Sequence, residues 1–309
     1  MKDRSQVVHE NFIQSLGARN LPDIIGAARL DGTALRGEKL VTLFESQILS
    51  RRLDLYARVL QGMGEGFYTI GSSGHEGLAA VAEALPLKDP AFLHYRDAAF
   101  LIQRSTKHAG ETPLWDMLLS FCAAENDPIS GGRHKVLGSK TLNIPPQTST
   151  IASHLPKAVG TAFSIGLSRK LKNKPIFDPR AITVCSFGDA SLNHSTAQGA
   201  INSAAWASYR GAALPLLFVC EDNGIGISTP TPRNWVRSNY EHHPHIKYFR
   251  CNGLNLIETY QTALEAQAYV RNEQKPAFLH FECVRLYGHA GADAPHAYME
   301  NAEIEAIES

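Results

Sequence analysis

The sequence predicts a doubly wound α/β fold, with a mostly parallel sheet, helices on both faces and a helical N-terminal extension. Three observations point there. Short apolar runs such as AITVCSF, LPLLFVC and AFLHFECV alternate with longer helix-forming stretches, the pattern of a buried parallel sheet. The segment Ala181–Thr229 is a complete unit of strand, Gly-Asp turn, Ala-rich helix, second strand and Asp-Asn-Gly loop. The 309 residues can bury a large core, and 44% hydrophobic with 19% charged residues is ordinary globular composition.

From the N-terminus, residues 1–35 read as a polar, irregular arm punctuated by Gly17, Pro22, Gly26 and Gly32. From Glu38 to Leu60 the apolar positions Leu40, Phe44, Ile48, Leu55 and Val59 recur at near-helical spacing, which predicts an amphipathic helix. The Gly-scattered stretch 62–74 is a loop; it follows no strand and so does not fit a dinucleotide fingerprint. A helix over His75–Leu85 and a short strand over 91–95 come next. Residues 126–150 are long, polar and without period, and a loop of that length inside a compact domain is more often functional than incidental. A helix is expected over Ile151–Lys170, an exposed segment over 233–245, and two further strand–helix units that include the buried run 277–284. These boundaries divide the chain into an arm and helix (1–60) and an α/β domain (61–309).

In a parallel sheet, ligands bind beyond the carboxyl ends of the strands. Asp189 and Asn223 each end a predicted strand, so the fold brings together a carboxylate and a neutral amide that are distant in sequence. Such oxygen ligands beside Gly-rich backbone suit a magnesium ion that also holds a diphosphate. Asp189 alone would read as a helix N-cap; the pairing of two strand ends favours the metal. Other candidates carry bland readings beside functional ones. His94-Tyr95-Arg96 could be an exposed edge trio, Ser149 could merely cap the following helix, and His289 could be a solvent-facing loop residue. His242, His243 and His245 straddle Pro244 at a spacing that fits no zinc motif and read as a solvated loop.

The 181–229 segment resembles the thiamine diphosphate motif, Gly-Asp-Gly followed some way on by Asn-Asn. The best match is the alpha subunit of the decarboxylating component of 2-oxo acid dehydrogenase complexes, and the resemblance runs from about Gly71 to Tyr298. Ala190 stands where the family usually has its second Gly, Asp222 replaces the first Asn, and the interval is a few residues longer, as an extra helical turn before Leu214. The resemblance implies a thiamine diphosphate-binding fold. It also implies a Mg2+ ion held by Asp189, Asn223 and the backbone carbonyl of Ile225, with the turn Gly188, Asp189, Ala190, Ser191 against the diphosphate. Arg96, flanked by His94 and Tyr95, would grip the diphosphate with its planar fork. Ser149 would set backbone groups against the aminopyrimidine, and Ile151 would support the bent cofactor. Arg285, His289, Asp293 and Tyr298 align with the family's active-site loop, and His289 would act on charge or protons there.

For function, the resemblance implies oxidative decarboxylation of a 2-oxo acid and transfer of the acyl group to a lipoyl-bearing acyltransferase component. NGIGISTPT (223–231) is closer to the branched-chain version than to the pyruvate-specific one. In this family the glutamate that activates the aminopyrimidine sits on a beta-type partner, and 309 residues hold no second such domain. The chain is therefore expected to be an alpha subunit of a heterotetramer or a fragment of a fused polypeptide. An acetoin dehydrogenase, a transketolase-like enzyme and a non-catalytic paralogue remain the alternatives, although the sequence offers no clear basic set for a sugar phosphate.

Bulk properties narrow the classes further. Lys+Arg and Asp+Glu are both 30, which gives no pull toward nucleic acid or membrane. No apolar run approaches the roughly 20 residues of a membrane span, and the N-terminus lacks a signal-peptide core, so the expected location is cytoplasmic. The five cysteines are widely spaced, without a Cys-x-x-Cys pair, as expected of reduced thiols.

Overall fold

Five parallel strands in the order β1-β4-β5-β9-β8 form the centre of the computed structural model, which describes residues 3–20, 35–67, 69–171 and 176–308. Pro22, Gly26 and Gly32 lie outside the described residues. In chain order the elements are α1 (Arg4–Ala18), α2 (Gly37–Gly62), α3 (Leu78–Ala84), β1 (Ala91–Phe92), α4 (Ala98–Ser105) and α5 (Pro113–Phe121). Then come β2 (Leu137–Ser139), β3 (Ile144–Gln147), α6 (Leu155–Ser168), β4 (Thr183–Gly188), α7 (Ser195–Tyr209) and β5 (Leu216–Asp222). The chain continues through β6 (Ile225–Gly226), β7 (Thr229–Pro230), α8 (Trp235–Tyr240), β8 (Lys247–Asn252), α9 (Leu256–Glu273), β9 (Ala277–Glu282) and α10 (Asn301–Glu308).

Side-chain alternation along the strands builds two cores. Val184, Leu217, Val219, Leu279 and Phe281 pack beneath α2, α3, α4, α5 and α9. Cys185, Phe187, Phe218, Cys220 and Phe278 pack beneath α6, α7 and α8. Both faces of every central strand are thus buried, which is why these strands read as continuous apolar runs. Phe187 meets Phe218 and Phe278 edge-on, at centroid separations of 6.1 and 6.2 Å. Each such pair adds about 0.5–1.5 kcal/mol beyond simple burial. The sheet is doubly wound, as the sequence predicts. Among the described residues no helix is long and apolar enough to cross a membrane, and all five cysteines are free.

Several local expectations need correction. Residues 4–18 are helical, not irregular: Asp3 caps α1 by accepting from the Ser5 N–H, and Arg4 and Asn11 bond Glu308 of α10. Apart from the local Asp3 cap, its support is distant in sequence, from Arg58 of α2 and from the other end of the chain. Helix α2 is where periodicity puts it, but Phe44 and Val59 face outward at 50% and 52% exposure. Its buried side is Leu43, Leu53 and Ala57 with Ser46, Ser50 and Asp54, because polar partners await it on α4 and the 69–74 loop. Helix α3 begins at Leu78, and β1 is only two residues long. The polar stretch 126–150 carries an antiparallel pair, β2 with β3. Helix α6 starts at Leu155 because Pro156 has no N–H to give and sits in its first turn. Within 233–245, Val236 and Tyr240 of α8 are buried, and Tyr240 stacks on Phe278 at 4.3 Å.

Close backbone approach fixes α3 against the end of the sheet. A Cβ added at Gly77 would lie 2.0 Å from the Gly253 carbonyl oxygen, whereas one at Gly199 in α7 would meet nothing within 4 Å. Gly77→Ala should therefore cost about 1–3 kcal/mol, while Gly199→Ala should gain about 0.5–1 kcal/mol from helix propensity. Thermal melts of the two variants, moving in opposite directions, check this.

Candidate functional site

At the carboxyl ends of β1, β4 and β5 the loops enclose a cavity of about 390 Å³. All twelve site residues singled out in the sequence line it. His94, Tyr95 and Arg96 come from the turn after β1, and Ser149 and Ile151 from the turn before α6. Gly188, Asp189, Ala190 and Ser191 follow β4, Asn223 and Ile225 follow β5, and His289 comes from the loop after β9. Ile70, Gly226, Ile227 and Ala290 complete the lining, none of them singled out from sequence.

Two loops are brought to the cavity by buried polar contacts. Asp54 of α2 accepts from the Ser72 N–H and the Ser73 hydroxyl, both at 2.7 Å, and Lys135 donates to the Ile70 carbonyl at 2.6 Å. Burial pushes the Lys135 ammonium down to about 8 despite nearby Asp54. The loop after β9 is tied by Arg285, which donates to the Ile227 carbonyl and the Tyr298 hydroxyl. Tyr298 and the His289 N–H both donate to Asp293. Arg285, Asp293 and Tyr298 therefore shape the loop that carries His289.

Arg96 is buried across the cavity wall, with its guanidinium donating to the carbonyls of Gly71 and His289 and lying 5.1 Å from the Tyr95 ring centre. It fastens both loops as well as lining the cavity. Its Nη2 also meets His289 Nδ1 at 3.2 Å. A guanidinium can only donate, so Nδ1 is the acceptor and the neutral ring carries its proton on Nε2. Burial, then the charges of Arg96 and Arg285, push His289 down to about 4.

Asp189 is 1% exposed and accepts from the Thr231 hydroxyl. Burial, with repulsion from Asp222 adding to it, raises its carboxyl to about 6. Among the described residues no cationic side chain forms an ion pair with it. A buried carboxylate beside a neutral amide and backbone carbonyls, lacking a cationic partner, is a donor set that fits a hard divalent cation. The two halves of the motif touch: a Cβ on Gly226 would lie 2.4 Å from the Ala190 Cβ. Asn223 Oδ1 accepts from the Ile225 N–H at 3.1 Å, which closes a tight local turn.

Beneath the cavity floor lies a cluster of which sequence reasoning singled out only His94, missing His75 and Glu221. The Glu221 carboxylate, on the next-to-last residue of β5, takes His75 Nδ1 at 2.5 Å and His94 Nδ1 at 3.1 Å on one oxygen. Burial pushes Glu221 up, but the imidazoles of His94 and His75 outweigh it and hold the carboxyl well below its usual range. These three side chains are the one group of suitable ligand types found close together among the described residues. Their separations are those of hydrogen bonds; two ligands on a tetrahedral zinc, each about 2.0–2.1 Å from it, would stand farther apart. The only sequence signal was a charged residue closing an apolar strand.

A family model described as "dehydrogenase E1 component" matches residues 45–309. The chain is 26% identical over 273 residues to the mitochondrial 2-oxoisovalerate dehydrogenase subunit alpha of Mus musculus, a match covering 86% of this chain and 57% of the relative. It is 27% identical over 286 residues to 2-oxoisovalerate dehydrogenase subunit alpha of Bacillus subtilis (strain 168), covering 90% and 80%. For the mitochondrial protein of that name in Caenorhabditis elegans, identity is 27% over 267 residues, covering 82% and 56%. The chain thus spans little more than half the length of the mitochondrial relatives.

The environment of His289 has a direct consequence for pH. With the folded value near 4 and the unfolded value near 6.5, protonation favours the unfolded chain, and the stability held by the neutral ring is lost as pH falls from about 6.5 toward 4. In nitrogen-15 NMR, the His289 ring, assigned by its loss in His289→Gln, should not titrate above about pH 5. Arg96→Gln should move the midpoint upward. A wild-type midpoint near 6.5 would show that Arg96 and burial do not control this ring.

Proposed function

Since the chain belongs to the dehydrogenase E1 component family, we propose that it is the alpha-type part of a thiamine diphosphate-dependent 2-oxo acid dehydrogenase, nearest the branched-chain type. In this reading it works with a beta-type subunit or domain, decarboxylates a 2-oxo acid and passes the acyl group to a lipoyl-bearing acyltransferase component. The observation that carries the proposal is the convergence of twelve residues, from five separate stretches of sequence, on one cavity at the carboxyl edge of the sheet.

Asp189, Asn223 and the Ile225 carbonyl would hold Mg2+, and the turn Gly188–Ser191 would present backbone N–H groups to the diphosphate. Arg96 adds the one guanidinium in the cavity lining. Ile151, 47% exposed, offers an apolar support beside Ser149. When bound, thiamine diphosphate supplies a ring that accepts the electron pair released as carbon dioxide leaves. The neutral His289, with its proton on Nε2, can donate a hydrogen bond to oxygen on which charge develops, a contact strongest in the transition state.

Asp189→Ala should lower the affinity for thiamine diphosphate in the presence of Mg2+ by about 100-fold or more, since loss of a group that merely orients a metal ligand already costs about 10–100-fold. The melting of the chain without cofactor should stay close to wild type. Titration calorimetry on the assembled complex decides, and undiminished affinity would remove Asp189 from the site. For substrate, 3-methyl-2-oxobutanoate should be decarboxylated in preference to pyruvate by about 10–200-fold, because each methylene in an apolar pocket is worth only about 1–3 kcal/mol. A preference for pyruvate in side-by-side assays would overturn the branched-chain assignment alone.

A further inference from the structure

We infer that His75 is a positioning residue that sets which face of the Asn223 amide is turned toward the cavity. The imidazole is fully buried between two partners of opposite demand. On one side Glu221 Oε2 lies 2.5 Å from Nδ1. An ionised carboxylate can only accept, so Nδ1 carries the proton. On the other side Nε2 lies 3.0 Å from Asn223 Nδ2. A neutral ring protonated on Nδ1 has only a lone pair there, and the Asn223 NH2 is the end of the amide that can meet it. The amide oxygen is therefore turned away from His75, where it accepts from the Ile225 N–H at 3.1 Å and keeps a second lone pair.

The consequence is specific to cation binding. A flipped Asn223 would present NH2 hydrogens where a metal needs oxygen, and would also face an unprotonated Nε2 with its own oxygen. Glu221 fixes the His75 tautomer, His75 fixes the Asn223 amide, and the order of these three bonds needs no change of charge. This extends the logic by which buried partners orient metal ligands from outside the coordination shell. Cys283 also lies against the ring, with its sulfur 3.8 Å from Nδ1 and 3.9 Å from Nε2. The inference rests on the thiamine diphosphate reading through one point, the use of Asn223 as an oxygen ligand.

The test is calorimetric titration of thiamine diphosphate, in Mg2+, into the chain assembled with its beta-type partner. His75→Leu should weaken binding about tenfold, the scale of one oriented hydrogen bond. His75→Gln, which can still donate to Glu221 and accept from Asn223, should stay within about twofold of wild type. In an Asn223→Ala background, His75→Leu should have no further effect, because its target is gone. A purely structural role predicts additive losses, and additivity overturns the inference. Should His75→Leu fail to fold, imidazole nitrogen-15 NMR of the wild type decides: a protonated Nδ1 with a bare Nε2 supports the chain of bonds, and an Nε2-protonated ring overturns it. If the wild-type complex binds no thiamine diphosphate, the cofactor reading falls and takes the inference with it. Binding by wild type that is unaltered in His75→Leu overturns the inference alone.

Discussion

The buried carboxylate of Glu221 is the constraint on which the rest of the cavity depends. It sits one residue before the end of β5 at 0% exposure and holds two imidazoles on one oxygen, joining the approach to α3, the turn after β1 and the strand itself. A buried charge survives only when its partners remain, and removing one costs about 3–5 kcal/mol. Those three segments are therefore locked in register beneath the floor. Asp97 stands opposite in character. Burial and the Glu221 charge push its carboxyl well above the usual range, while Ser186 donates to it. Asp97 Oδ1 and Glu221 Oε1 are both buried without another partner.

The part of this site that sequence makes legible is the part carried by strand ends. Asp189 and Asn223 sit next to Gly188 and Gly224, just after apolar strand runs, and the parallel-sheet rule brings such ends together without any knowledge of the loops between. His75 has no comparable signal. Its partners Glu221 and Asn223 lie nearly 150 positions away, and its own neighbours, Gly74 and Glu76, suggest only a turn before a helix. Helix α1 was hard to read for a related reason: beyond its Asp3 cap, the bonds that fasten it run to distant residues, from Asp3 to Arg58 of α2 and from Arg4 and Asn11 to Glu308. Helix α2 shows a subtler limit. Periodicity detects a helix, but which face turns inward was decided by Ser46 meeting Gln103 and Asp54 meeting Ser72 and Ser73, contacts between polar groups that an apolar stripe cannot report.

The Ala190 departure from the family pattern has a structural counterpart. The loop after β5 passes so close to the turn after β4 that a Cβ at residue 226 would lie 2.4 Å from the Ala190 methyl. Residue 226 is glycine, so the methyl at 190 is accommodated where a larger pair would not be. At the next position Ile227 takes a positive φ of 54° and is 60% exposed, while its carbonyl is held by Arg285. Strain of this kind persists only where the surroundings fix it. Here it lies in the stretch where Ile225, Gly226 and Ile227 line the cavity together with Asp189.

Charge explains why the proposed cofactor and its cation belong together. Apart from imidazoles, Arg96 and Asp189 are the lining side chains that carry formal charge, and they oppose one another. The protein thus brings no net charge of its own to meet a diphosphate, and Arg96 already commits donors to the Gly71 and His289 carbonyls. A diphosphate entering without a cation would face the Asp189 carboxylate nearly uncompensated. A cation entering without diphosphate would leave most of its preferred octahedron to water. On the proposed reading each would supply what the other lacks, so the affinity of either would rise when the other is present, by the same factor in both directions. The neutrality of His289 fits that balance: on the proposed reading, a second positive charge beside Arg96 would compete with the cation for the same oxygens, whereas a neutral Nε2–H would leave them to the metal.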